Sequence, residues 1–178
     1  MSVDLDWLNL LEVSGPFLAE PVLKQAFPDG LDLLERGVPQ RLRATYDEWR
    51  NAVDVRDPDL SLFQEAWIAE VLTGALEFDE TCIRKGSELP KTAKADLPEH
   101  GVHLEADIAI VDPSKPDAPL LLISTYAPDA DLDSVFEQNG LAATPADRMV
   151  TLLRRTECPI GLVTNGERWM LVHAPSGS

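Results

Sequence analysis

Two apolar runs separated by a proline-rich loop constrain this chain more than any other feature. Residues 103–126 read HLEADIAIVDPSKPDAPLLLISTY and predict two strands, over 104–111 and 120–126. Side chains alternate across a strand, so Leu104, Ala106, Ile108 and Ile110 are expected on one face of the first, with Glu105 and Asp107 on the other. In the second strand Leu120, Leu122, Ser124 and Tyr126 share a face.

The segments around this pair read mostly as helices. Residues 3–11 carry apolar side chains at helical spacing, including Trp7, and residues 17–27 resume after Gly15-Pro16 with Pro21 in a first turn. Leu31, Leu33 and Leu34 predict a short helix ended by Gly37. Over 39–53, Leu42, Tyr46, Trp49 and Val53 repeat with a helical period, and Arg41, Arg43 and Arg50 are expected to pair with nearby carboxylates. Asp57-Pro58 opens the next helix, Ser61-x-x-Gln64 fits a capping box, and Leu62, Phe63, Ala66, Trp67, Val71 and Leu72 make a wide apolar face.

Residues 81–103 read as a polar, mobile connector carrying Arg84, Lys85, Lys91 and Lys94. The acidic run after Tyr126 lacks the glycine and terminal glutamate of a calcium loop, so it reads as irregular chain without calcium. Thr144-Pro145-Ala146-Asp147 then caps a helix with Met149, Leu152 and Leu153 inward and Arg148, Arg154 and Arg155 outward. Strands over 160–164 and 168–173 flank the hairpin signal Asn165-Gly166. This order predicts an α/β (α+β) fold, a mixed central sheet flanked by helices behind an N-terminal helical block. The expected division is 1–55 helical segment, 56–174 sheet domain and 175–178 soft tail.

Charge narrows the functions open to such a fold. The chain has 15 basic and 31 acidic residues, a net charge of −16. Duplex DNA is a polyanion that autonomous binders grip with basic surfaces, so tight DNA binding by this chain alone is not expected. Lys85, Lys91 and Lys94 are the candidate nucleic-acid contacts. No membrane-spanning run and no secretory leader are read, and Cys82 and Cys158 read as reduced thiols of a cytoplasmic protein.

An acid in one strand and two residues spaced i, i+2 in the next resemble the core of PD-(D/E)xK nucleases. Ala106-Asp107 stands where that family holds a metal-binding aspartate, but Ser124-Thr125-Tyr126 stands where its acid-x-Lys pair belongs. The segment 143–173, with Pro159, Gly161 through Gly166 and Trp169, resembles the end of the N-terminal PD-(D/E)xK-like region of type IIG (Eco57I-like) restriction–modification methylases and of DISARM-type phage-defence methylases. The resemblance implies a restriction-endonuclease-like fold and a methyltransferase or other restriction or defence subunit as partner, in cis or in trans, with DNA reached through that partner. The adenosylmethionine and Asn-Pro-Pro-Tyr-type motifs of those methylases do not occur here.

Three functions fit these residues. The first is a degenerate nuclease-like domain that acts as a scaffold, needing no cofactor, with Ser124 and Tyr126 as the degenerate motif positions. The second is a Mg²⁺-dependent endonuclease with a rearranged site, in which Asp107 and Glu105 hold the metal with a helical glutamate, Glu70 or Glu65, and Lys115 supplies a relocated cation. The third is an acidic interaction module that mimics the charge of DNA. Ser124 lacks a neighbouring histidine and a nucleophile elbow, so it is not read as a hydrolase nucleophile.

Overall fold

The structure, a computed structural model, describes residues 6–99 and 101–175. Packing divides the chain into Met1–Pro39 and Gln40–Ser178. The first unit holds a 3₁₀ turn at Asp6–Leu10 and helix α1 (Glu20–Ala26), with Pro21 in its first turn, where a missing N–H is tolerated. Trp7 and Phe27 meet edge to face with centroids 5.7 Å apart. The expected helix at Leu31, Leu33 and Leu34 does not form; residues 31–35 are irregular and Leu33 is 97% exposed. Gly30 and Gly37, both at positive φ, bound a run too short to offset the cost of nucleating a helix. The start of the segment expected from Val3 and most of the expected tail, residues 176–178, lie outside the described residues.

Helix α2 (Val38–Val55), which lies in the second unit from Gln40 on, buries Trp49 and Ala52 and carries the pairs Arg43–Asp47 and Arg50–Asp54 one turn apart. Helix α3 (Leu60–Glu70) runs on into a π turn at Val71–Ala75. The capping box expected at Ser61 is absent. Asp59 is the N-cap and makes no side-chain cap bond, and Asp57 Oδ1 accepts from the Asp59 N–H at 2.8 Å. Gln64 is thereby released for a distant partner, described below. Leu62, expected on the apolar face, is 62% exposed, while Ile68 and Leu72 carry the burial.

The strands follow in order: β1 (Ile83–Lys85), β2 (Lys94–Leu97), β3 (Val102–Glu105), β4 (Ile108–Asp112), β5 (Lys115–Thr125), β6 (Phe136–Gln138) and β7 (Leu141–Ala143). Helix α4 (Pro145–Thr156), β8 (Ile160–Thr164) and β9 (Trp169–His173) complete the unit. The central sheet has the order β1-β4-β5-β8-β9, and β5 with β8 is its parallel pair. Strands β2 and β3 form one separate ribbon, β6 and β7 another. Chain direction is preserved from β5 to β8 because α4 lies between them, capped by Thr144 Oγ1 accepting from the Asp147 N–H.

Both faces of the sheet are covered. Leu122, Val111 and Val163 pack with Met149, Leu152 and Leu153 of α4 on one side, and Ile110, Leu121 and Ile123 pack with Ile68 and Leu72 on the other. At Gly161 α4 packs close against the sheet, since a Cβ there would run into the Met149 side chain. The β8–β9 turn buries Asn165, whose Oδ1 accepts from the N–H groups of Glu167 and Arg168 at 3.1 and 2.8 Å. At this turn only Gly166 adopts positive φ, +91°.

The strand expected over 104–111 is two strands. The Ala106 N–H donates to the carbonyl of Ala93, beside the ribbon, and the next N–H, of Asp107, donates to Ile123 in the central sheet. The chain changes sheets between those two residues. Alternation shifts phase there: Leu104 and Ala106 pack with the α4 layer, whereas Ile108 and Ile110 pack with the α3 layer, so the four do not share a face. In β5, Leu122 faces the α4 layer, but Leu120 is 58% exposed at a bulge where Ile110 pairs with Leu121 and Val111 with Pro119. The connector over 81–103 is folded: Ala93, Ala95 and Leu97 are buried in the core beside β3. Residues 136–143 form a hairpin about Asn139 and Gly140, both at positive φ, in a stretch expected to be irregular.

Candidate functional site

The sheet crossing at Asp107 opens onto a cleft of about 1400 Å³ between α3, the β2–β3 ribbon and the C-terminal end of β5. Asp107, Glu105, Glu70, Ser124, Tyr126 and Lys85 all line it, so residues from four separate segments border one cleft. Lys91 does not line it, and Lys94, also off the lining, is tied to Glu105 at 2.7 Å.

Asp107 is held by the strand opposite. Its Oδ2 accepts from the Thr125 N–H at 2.7 Å and from Thr125 Oγ1 at 3.2 Å. Neighbouring atoms strip water from the carboxyl, which pushes its pKa up; the two Thr125 bonds oppose this, and the charge of Glu105 adds to it. Solvent still reaches the residue through the cleft mouth. Glu105 is engaged by Lys94 and lies 3.7 Å from His103 Nε2, while His103 Nδ1 sits 2.7 Å from Asp96. Glu70 pairs with Arg41 at 3.2 Å, and Glu65 lies 4.0 Å from Lys85.

These pairings compete with metal binding. Magnesium requires several hard oxygen donors around one point. Among the described residues no three Asp, Glu, His or Cys side chains are placed to hold a metal ion. Asp107 turns one oxygen to Thr125, Glu105 and Glu70 turn to cations, and Ser124 is a neutral hydroxyl. The residues present do not fit Mg²⁺. Lys115, considered as a relocated cation, pairs with Asp112 at the far end of β4, roughly 16 Å along the strand from Asp107.

Two residues of the cleft were read from the sequence in other roles. Gln64 donates from Nε2 to the Tyr126 carbonyl at 2.7 Å and so ties α3 to the end of β5. Arg148, expected on the outward side of α4, is instead 7% exposed, lines the cleft, and donates from Nη1 to the carbonyls of Gln138 and Leu141, 3.0 Å each. Its signal was its position: Pro145, Arg148, Met149 and Leu152 fall on one helical stripe, and all four are buried. Burial pushes the Tyr126 phenol up, with Arg148 opposing and Asp107 reinforcing the shift.

A second polar group fixes the aromatic side of the unit. Trp67 Nε1 donates to the Gly166 carbonyl at 2.7 Å, and the Trp67 ring stacks with Trp49 at 6.4 Å. Cys158 is buried and Cys82 half-buried, both as free thiols. Among the described residues no helix is long and apolar enough to cross a membrane. No protein family, curated protein or solved structure matches this chain.

Proposed function

We propose that residues 40–178 are a catalytically degenerate, restriction-endonuclease-like domain of a restriction–modification or phage-defence protein, which positions a methyltransferase or another defence subunit instead of cutting DNA. The observation that carries this reading is the pairing of Asp107 with Thr125. An acid at the head of one strand lies beside Ser124 and Tyr126 at the end of the next, without the acid and lysine that cleavage uses, and this supports the degenerate reading. A neutral hydroxyl and a phenol supply neither a hard anionic ligand nor a cation beside the attacked phosphate. The net charge of −16 agrees with a domain that reaches DNA through its partner.

Incubation of supercoiled plasmid with the purified chain in Mg²⁺ or Mn²⁺ tests this. The expected result is no nicking above a no-protein control, and Mn²⁺ binding no tighter than that of scattered surface carboxylates. Metal-dependent nicking by the wild-type chain that disappears in Asp107→Ala would overturn the proposal.

A further inference from the structure

Among the described residues, no ion pair offsets the charge of Arg148. Its side chain is buried, and its Nη1 donors end on two neutral carbonyls. A guanidinium has five N–H donors, and a buried cation is costly unless an anion or a full set of acceptors meets it. The charge of Arg148 opposes the upward push of burial on the Tyr126 phenol, Ser124 stands two residues earlier at the end of β5, and all three line the cleft.

We infer that the cleft holds a terminal phosphate monoester, with Arg148 and the hydroxyls of Tyr126 and Ser124 as its anion subsite. A phosphate oxyanion matches the planar fork of arginine, and its third oxygen takes the hydroxyl donors. Burial of Arg148 selects a terminal group. An internal phosphodiester carries a sugar on both sides and cannot be inserted to the depth of a 7% exposed side chain, whereas a monoester brings one. The same chemistry comes from the 5′ end of a nucleic-acid strand or from a free mononucleotide. The simpler role of Arg148, bridging the β6–β7 hairpin through the two carbonyls, uses only Nη1. The inference goes beyond the degenerate-site reading, since it adds a direct phosphate contact to a domain otherwise read as reaching DNA through its partner.

Calorimetric titration separates these cases. The ligands are a 5′-phosphorylated tetranucleotide, its 5′-hydroxyl counterpart and adenosine 5′-monophosphate. The phosphorylated strand is expected to bind at least about tenfold tighter than the hydroxyl strand, a preference lost in Arg148→Gln and weakened about fivefold in Tyr126→Phe. Equal binding by the mononucleotide assigns the ligand to free nucleotides, and weaker binding assigns it to strand ends. Equal affinity for the phosphorylated and hydroxyl strands overturns the inference. Should Arg148→Gln fail to fold, Tyr126→Phe and Ser124→Ala carry the test, since neither touches the hairpin carbonyls. A chain that nicks plasmid yet prefers the phosphorylated strand sinks the degenerate-site reading alone; one that neither nicks nor discriminates sinks this inference alone.

Discussion

Replacing Gly166 by alanine tests the packing behind the β8–β9 turn, and its cost can be worked from two separate terms. At φ +91° an L-residue is strained, a penalty of about 1–2 kcal/mol. The added Cβ would also lie 2.5 Å from Cζ2 of Trp49, with Cη2 and Cε2 at 3.0 and 3.1 Å. Trp49 is fully buried, and its indole is rigid, so relief requires moving α2 or the turn. Overpacking of this kind costs about 1–3 kcal/mol, which brings the expected loss to about 2–5 kcal/mol. Gly161→Ala is the internal control. Its φ lies outside the left-handed region, and the nearest obstacle is the flexible Met149 side chain, so its loss is limited to the overpacking range of about 1–3 kcal/mol. Urea denaturation followed by tryptophan fluorescence reads both variants, because Trp49, Trp67 and Trp169 cluster beside the turn. A Gly166→Ala protein within about 0.5 kcal/mol of wild type, or a costlier Gly161→Ala, refutes the reasoning.

Asp107→Asn probes the cleft through pH. Burial raises the native pKa of this acid, so the folded protein binds its proton more tightly than the unfolded chain, and ionisation lowers stability. Stability measured against wild type should therefore shift in favour of Asp107→Asn as pH rises from about 3.9, the ordinary aspartate value, through the native pKa, and level off above it. Denaturation of both proteins across that range is the measurement, and a shift in the opposite direction defeats the assignment. Gln64→Ala removes the donor to the Tyr126 carbonyl and is expected to cost about 1–2 kcal/mol in the same denaturation assay, with an unchanged stability showing that water replaces the amide.

What could be read from the sequence was local. The Thr144 cap with Pro145 and Asp147, the periodicity of α2, and the apolar runs at β5, β8 and β9 each announce themselves within a few residues. The break at Ala106–Asp107 does not, because alternation runs smoothly through it and says nothing about which neighbour each amide will meet. The hairpin at 136–143 was hidden by the acidic run before it, although Asn139-Gly140 is the same dipeptide signal that located the β8–β9 turn. Ser61 and Gln64 have capping-box spacing, but a carbonyl 62 residues away wins the amide.

The candidate site followed the same division. Asp107, Glu105, Glu70, Ser124, Tyr126 and Lys85 meet in one cleft because strand order and one helix position them. Their actual partners, Thr125, Lys94 and Arg41, depend on long-range geometry that periodicity does not encode. Arg148 was read by its charge when its place on the apolar stripe was the stronger clue.

Lys85, the last residue of β1, pairs directly with Ile108, the first of β4. Everything from 86 to 107, including the ribbon that walls the cleft, therefore leaves and re-enters the sheet at a single rung. Closing a longer or shorter loop across a fixed pairing changes the free energy only slowly with length. The excursion is not freely exchangeable, because Ala93, Ala95, Leu97, Val102, Leu104 and Ala106 belong to the core on which α4 packs; variants that keep those six and change its exposed positions would present a cleft of another depth and charge on the same sheet.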